Sequence, residues 1–135
     1  MIVNKITDLI GETPLLRIKM KNNKWQVYLK LEKFNPGGSM KDRMAYNMIE
    51  KAEKEGKLKP GGTIIESSSG NTAIGLAIAS AIKGYRFIAV VDHHASKEKI
   101  DMIKAYGGQI VIVGDGYKDN EVAVVEREKI AAKMS

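Results

Sequence analysis

Short β-branched runs recur along this chain at a spacing that helices fill. Thr63-Ile-Ile-Glu66, Arg86 to Val91 and Gln109 to Val113 are nearly continuous apolar segments. Between them lie Thr72 to Lys83, closed by Gly84, and Ser96 to Tyr106, closed by Gly107-Gly108. A last helix is predicted from about Asn120 to Lys133, after a turn at Asp115-Gly116. Strands that are apolar throughout are buried on both faces, and helices of crossover length between them make neighbouring strands parallel. The expectation is an α/β fold: an open three-layer sheet of mainly parallel strands with helices on both faces. No sequence repeat, low-complexity tract or internal linker interrupts it.

The first part of the chain reads differently. Lys5 to Ile10 gives one or two helical turns closed by Gly11, and Thr13-Pro14 opens an extended segment, Leu15 to Ile18. The polar cluster Lys21-Asn-Asn-Lys24 reads as a turn. Trp25 to Glu32 then alternates, with Val27, Leu29 and Leu31 on one side and Tyr28, Lys30 and Glu32 on the other, which predicts a half-buried strand.

With 135 residues the chain has room for one domain with a genuine core. Its 44% hydrophobic and 28% charged content is that of a soluble globular protein, and no apolar run is long enough to span a bilayer. Cysteine is absent, which excludes disulfides, thiolate metal sites and a cysteine nucleophile. A cytoplasmic location follows as an expectation. The net charge of +6 does not argue for nucleic acid. Its lysines interleave with acids, as in Lys51-Ala-Glu-Lys-Glu-Gly-Lys57 and Glu126-Arg-Glu-Lys129, the pattern of solvated helix faces, and aromatics are few.

Two stretches carry candidate chemistry. In Asn35-Pro-Gly-Gly-Ser-Met-Lys-Asp-Arg43, Pro36 and two glycines make a turn, and Ser39 stands where a helix running from Met40 to Glu55 would be capped. Lys41 then falls in the first helical turn, where the helix dipole disfavours a cation. That is a poor position for stability and a suitable one for a nucleophilic amine. A solvated lysine beside Asp42 and Arg43 is the plain alternative.

The second stretch, Ser67-Ser-Ser-Gly-Asn-Thr72, follows a strand and opens a helix. In open α/β sheets that is where ligands bind, and its hydroxyls, amide and backbone N–H groups suit a carboxylate or phosphate. Capping alone needs one such residue rather than five. Elsewhere, the adjacent His93-His94 reads as a surface loop rather than a metal pair, because no carboxylates are spaced to join it. Neither a nucleophile-elbow nor a P-loop pattern occurs, and Gly61-Gly62 reads as a turn.

Together with Asp8-Leu-Ile-Gly-Glu-Thr-Pro-Leu-Leu16, these two stretches resemble the N-terminal part of the cysteine synthase and cystathionine β-synthase family. Its members are fold type II pyridoxal-phosphate enzymes, and the three motifs stand in the family's order and spacing across essentially the whole chain. The resemblance implies pyridoxal 5′-phosphate as cofactor, held covalently by Lys41, which later moves the α-proton. Asn71 would hydrogen-bond the cofactor's 3′-oxygen. Ser68, Ser69, Gly70 and Thr72, with Asn71, would bind the α-carboxylate of an amino-acid substrate. The implied reaction is β-replacement on an O-activated serine, in amino-acid biosynthesis.

Some residues depart from the usual pattern. Ser68 stands for a threonine, Ala73 for a glycine, and Met40 for a β-branched residue. Val91-Asp92-His-His-Ala-Ser96 replaces a Met-Pro sequence. The Val91-Asp92 pair and Met40 before the lysine are similar to the siderophore-pathway branch, which makes an aminocarboxyethyl-glutamate, so that reaction is an alternative. A non-catalytic amino-acid or anion-binding module is another.

Family members are about twice as long, so residues 1–135 read as a partial chain lacking a C-terminal domain. Residues 1–34 would pair with that absent domain, and residues 35–135 would form the small α/β domain. The family implies a homodimer, or here a complementing C-terminal half. On this reading residues 1–135 alone bind the cofactor weakly or not at all.

Overall fold

The computed structural model describes residues 2–21, 25–114 and 120–134. A 3-10 turn, Ile6–Leu9, leads into β1, Leu15–Ile18, and β2, Val27–Lys30. A second 3-10 turn, Glu32–Phe34, precedes helix α1, Lys41–Lys54. Then come β3 (Thr63–Glu66), α2 (Asn71–Lys83), β4 (Arg86–Asp92), α3 (Lys97–Ala105), β5 (Gln109–Val113) and α4 (Asn120–Met134).

The three apolar runs form one parallel sheet in the order β3-β4-β5, with Ile65 opposite Ile88 and Val91 opposite Ile112. The α/β expectation is met, and its element types follow the sequence closely. Residues of β4 alternate between two dry faces. Phe87, Ala89 and Val91 join Leu76, Ile78 and Ile103 of α2 and α3 in the main core. Val90 and Asp92, one residue out of phase, are buried on the side where α4 lies against the sheet. Each fully buried branched side chain contributes roughly 1.5–3 kcal/mol relative to exposure, and these residues supply most of the cohesion.

Two local expectations are corrected. Helix α1 begins at Lys41 with Met40 as its N-cap residue, so it starts one residue later than Met40. Ser39 still serves the helix start, its Oγ accepting from the Lys41 backbone N–H at 3.1 Å. The alternation over Trp25 to Glu32 does not yield a half-buried strand. Among the described residues β1 and β2 pair only with each other, antiparallel, and Leu15, Leu16, Tyr28 and Leu29 are all about half exposed or more. A two-stranded sheet without a third strand or a packed layer leaves its side chains exposed. The expected turn at Asp115-Gly116, and residues 22–24 of the one before β2, lie outside the described residues.

Candidate active site

Lys41 owes its place to the turn before it. The Gly38 N–H donates to the Asn35 carbonyl at 2.8 Å, closing a reverse turn around Pro36 and Gly37. The carboxylate of Asp42 folds back beneath it, where Oδ2 accepts from the Gly37 N–H. A Cβ on Gly37 would stand 2.5 Å from Asp42 Oδ1, so only glycine leaves the carboxylate room. Asp42 is 1% exposed and its Oδ1 has no partner. Burial pushes its carboxyl above the usual range against the Gly37 hydrogen bond, and the Glu32 charge pushes the same way.

The turn is tied to the N-terminal segment by a polar network. Arg43 grips Glu32 with both ends of its fork, Nε to Oε2 and Nη2 to Oε1, each at 2.9 Å. Its Nη2 also donates to the Gly11 carbonyl at 3.0 Å and to Thr13 Oγ1 at 3.3 Å. Asn35, 3% exposed, donates to the Glu32 carbonyl and Oε2 and accepts from the Gly11 N–H, all at 2.9 Å. Hydrogen bonding from Arg43 first, then from Asn35 and Thr13, holds the Glu32 carboxyl below its usual range against the effect of burial. The Gly-Glu-Thr-Pro and Asn-Pro-Gly-Gly motifs are therefore one structural unit, and it fixes the start of α1.

That start meets the start of α2. A Cβ on Gly75 would lie 3.0 Å from Ala45 Cβ, 3.2 Å from Asp42 Cα and 3.3 Å from the Lys41 carbonyl oxygen. Only a bare Cα lets the helices cross so closely, one turn inside α2 from Ser67–Asn71. The sequence separates Lys41 from α2; the helix crossing brings the Lys41 backbone against Gly75, within the helix that the serine loop opens.

The loop itself is poorly served from within. Gly70 is the N-cap residue of α2 and no side chain caps the helix, although serines and an asparagine surround it. Ser68 Oγ instead accepts from the Gly70 N–H at 3.2 Å. Among the described residues Ser67 Oγ is buried without a partner, and Ser69 Oγ accepts from Arg127 Nη1 at 3.3 Å. Asn71 is exposed, while Lys41 and Thr72 are half-buried. An uncapped helix N-terminus lined with hydroxyls has capacity for an anion that its own residues do not use. Beside it, burial pushes the Glu66 carboxyl up.

The chain matches the family described as pyridoxal-phosphate dependent enzyme over residues 6–134. It belongs to that family. A Sinorhizobium fredii protein carrying a cysteine synthase name is 52% identical over 134 residues, which are 99% of this chain and 40% of that protein. A cysteine synthase of Staphylococcus aureus is 50% identical over 112 residues, covering 82% of this chain and 36% of its own length. The crystal structure of an O-ureido-L-serine synthase superposes with a TM-score of 0.83 at 41% identity, covering 99% of this chain and 42% of that one. The chain thus spans about two-fifths of the length of such relatives, and it shares their α/β fold.

The residues present fit the reactive end of this family's cofactor. A lysine stands at the start of α1, and among the described residues the start of α2 carries an exposed amide, an orphaned hydroxyl and a helix end that no side chain caps. His93 and His94 stack with ring centroids 3.9 Å apart on an exposed turn, and among the described residues no acidic or histidine cluster could hold a metal. Sequence reasoning missed Arg127. It was placed on a solvated face by its acidic neighbours, yet its side chain is 12% exposed and pairs with Asp92. Nothing in the local pattern marks it, because its partners come from β4 and the serine loop.

Proposed function

We propose that this chain carries the lysine and substrate-binding portion of a pyridoxal-phosphate enzyme that performs β-replacement on an O-activated serine, as a cysteine synthase does. The observation that supports it is the contact at Gly75, which holds the Lys41 backbone against the helix whose N-terminus no side chain caps. When bound, the cofactor supplies an electron sink for a substrate deprotonated at Cα.

The remaining work falls to this chain's residues. Lys41 Nζ would be the amine that holds the cofactor, and it would take and return the proton at the substrate's Cα. Asn71 would donate a hydrogen bond to the cofactor's 3′-oxygen. The hydroxyls of Ser68 and Ser69 and the N–H groups from Gly70 to Thr72 grip the α-carboxylate, turning the Cα–H bond toward Lys41. Holding the carboxylate at an uncapped helix end places its charge where the dipole favours it.

The exposed β1–β2 hairpin is, on this reading, where the rest of the enzyme docks, with residues 35–135 as the small domain. A homodimer, or a complementing C-terminal half, working in the cytoplasm completes the picture. Residues 1–135 alone bind the cofactor weakly or not at all. Borohydride reduction of the full-length protein with pyridoxal phosphate, followed by peptide mass mapping, should place the label on Lys41, and Lys41→Ala should abolish it. A label spread over surface lysines, or undiminished in that variant, refutes the assignment. An amino-acid or anion receptor without catalysis would keep its ligand affinity in Lys41→Ala.

A further inference from the structure

Among the described residues, Ser69 is the hydroxyl of the loop to which a charged side chain donates. Arg127 reaches it from α4 across the carboxyl edge of the sheet. Its Nη1 donates to Ser69 Oγ at 3.3 Å and lies 3.0 Å from Asp92 Oδ2 at the end of β4. The Asp92 side chain is 8% exposed and that of Arg127 12%, so the pair is withdrawn from water. Among the described residues, Arg127 Nε is buried with no partner. A buried ion pair seldom repays its own desolvation, and one with an orphaned donor is a weak source of stability. Its geometry calls for another account.

A hydroxyl has one proton and two lone pairs. With a lone pair engaged by a guanidinium, Ser69 keeps its proton to give, and the positive charge behind the oxygen strengthens it as a donor. Nor, among the described residues, is its other lone pair spent on capping α2, which no side chain caps. We propose that Arg127 is a positioning residue for the substrate carboxylate. It polarises Ser69 toward an anion in the cup, and Asp92 sets how much of its charge is felt there. Asp92 is well placed to do so, since Oδ2 faces Arg127 while Oδ1 accepts from the His94 N–H at 2.8 Å, with His94 Nδ1 at 3.5 Å. The inference rests on the reading that residues 67–72 bind an amino acid by its carboxylate.

It also predicts opposite signs for the two partners. Removing the guanidinium weakens carboxylate binding, whereas neutralising Asp92 unmasks the guanidinium and tightens it. A purely structural pair would weaken binding from either side. The test is calorimetric titration of full-length protein, saturated with pyridoxal phosphate, with L-serine and with L-serinamide, which lacks the carboxylate charge. Arg127→Met should weaken L-serine about tenfold, the worth of one hydrogen bond to a charged group, and leave L-serinamide nearly unchanged. Asp92→Asn should tighten L-serine.

Equal L-serine affinity in wild type and Arg127→Met overturns the inference and leaves the proposed function standing. So does weakening by Asp92→Asn. Wild-type protein that takes up neither ligand overturns the proposed function, and this inference with it. Should Arg127→Met fail to fold, Asp92→Asn alone decides by its sign.

Discussion

Replacing Gly75 by alanine isolates the helix crossing from every other feature of the site. In a free helix the change is favourable by about 1 kcal/mol, because alanine loses less backbone freedom and exposes less backbone. Here the new methyl would stand 3.0 Å from Ala45 Cβ, 3.2 Å from Asp42 Cα and 3.3 Å from the Lys41 carbonyl oxygen. Carbon atoms in contact prefer roughly 3.5–4.0 Å, so the helices must part by about half an ångström. Two of the three obstructing atoms are backbone, and the third is a methyl fixed on its helix, so no side chain can swing aside. Overpacking of this kind costs about 1–3 kcal/mol. Set against the propensity gain, the net is a loss of about 1 kcal/mol, or roughly 0.5 M in the urea midpoint for an ordinary small domain. Equilibrium urea unfolding followed by circular dichroism measures it. A midpoint equal to or above that of the unsubstituted protein would refute the close crossing and, with it, the argument that Lys41 is placed by α2.

Gly37→Ala sets a methyl against Asp42 Oδ1 and should lower the thermal midpoint, and the double variant Gly37→Ala with Asp42→Ala should recover part of the loss; additive losses in a double-mutant cycle would contradict the contact. Asp42 also has a raised pKa, so between the unfolded value of about 4 and its folded value the native state holds the extra proton. Its contribution to stability is therefore least unfavourable in acid and worsens as pH rises through that window. Wild type should gain stability relative to Asp42→Asn between pH 7 and pH 4.5, and a pH-independent difference in melting temperature would count against it. Arg43→Lys should lower the melting temperature more than Lys97→Ala, because a lysine cannot reproduce the two-pronged grip on Glu32 plus Gly11 and Thr13, while Lys97 meets Asp101 in open solvent. Equal shifts would show that the network adds no more than a surface pair.

The parallel sheet was legible because its cause is local. Ile64–Ile65, Phe87–Val91 and Ile110–Val113 are continuous apolar runs, and each glycine stop has the conformation that the helix end requires, as at Gly84 with φ of +77°. The hairpin misled for the same reason. Alternation over Val27 to Leu31 reports that one side of the strand suits a dry environment, not that this stretch of chain provides one. The serine loop stands out in the sequence as a candidate anion site through its excess of polar residues. The part played by Gly70 in place of a side-chain cap does not, because it depends on Ser68 turning back to the Gly70 N–H and Ser69 turning to Arg127. Asp42, Gly75 and Arg127 escaped sequence reading altogether. Each acts through a partner distant in the chain, and its immediate neighbours are those of an ordinary helix face.

The two halves of the candidate site are held by different means, and this has a mechanical consequence. The serine loop is anchored by covalent continuity with β3 and α2 and by a hydrogen bond from α4, so it moves with the sheet. Lys41 is anchored by the turn at 35–38 and by the Arg43–Glu32–Thr13 network, so it is coupled to the hairpin through Glu32, two residues after β2. The crossing at Gly75 joins the two bodies. A force applied to the exposed hairpin, as by a domain docking there, is transmitted through Glu32 and Arg43 to the first turn of α1 before it reaches the sheet. Lys41 would then respond to such docking more directly than the loop at residues 67–72 does.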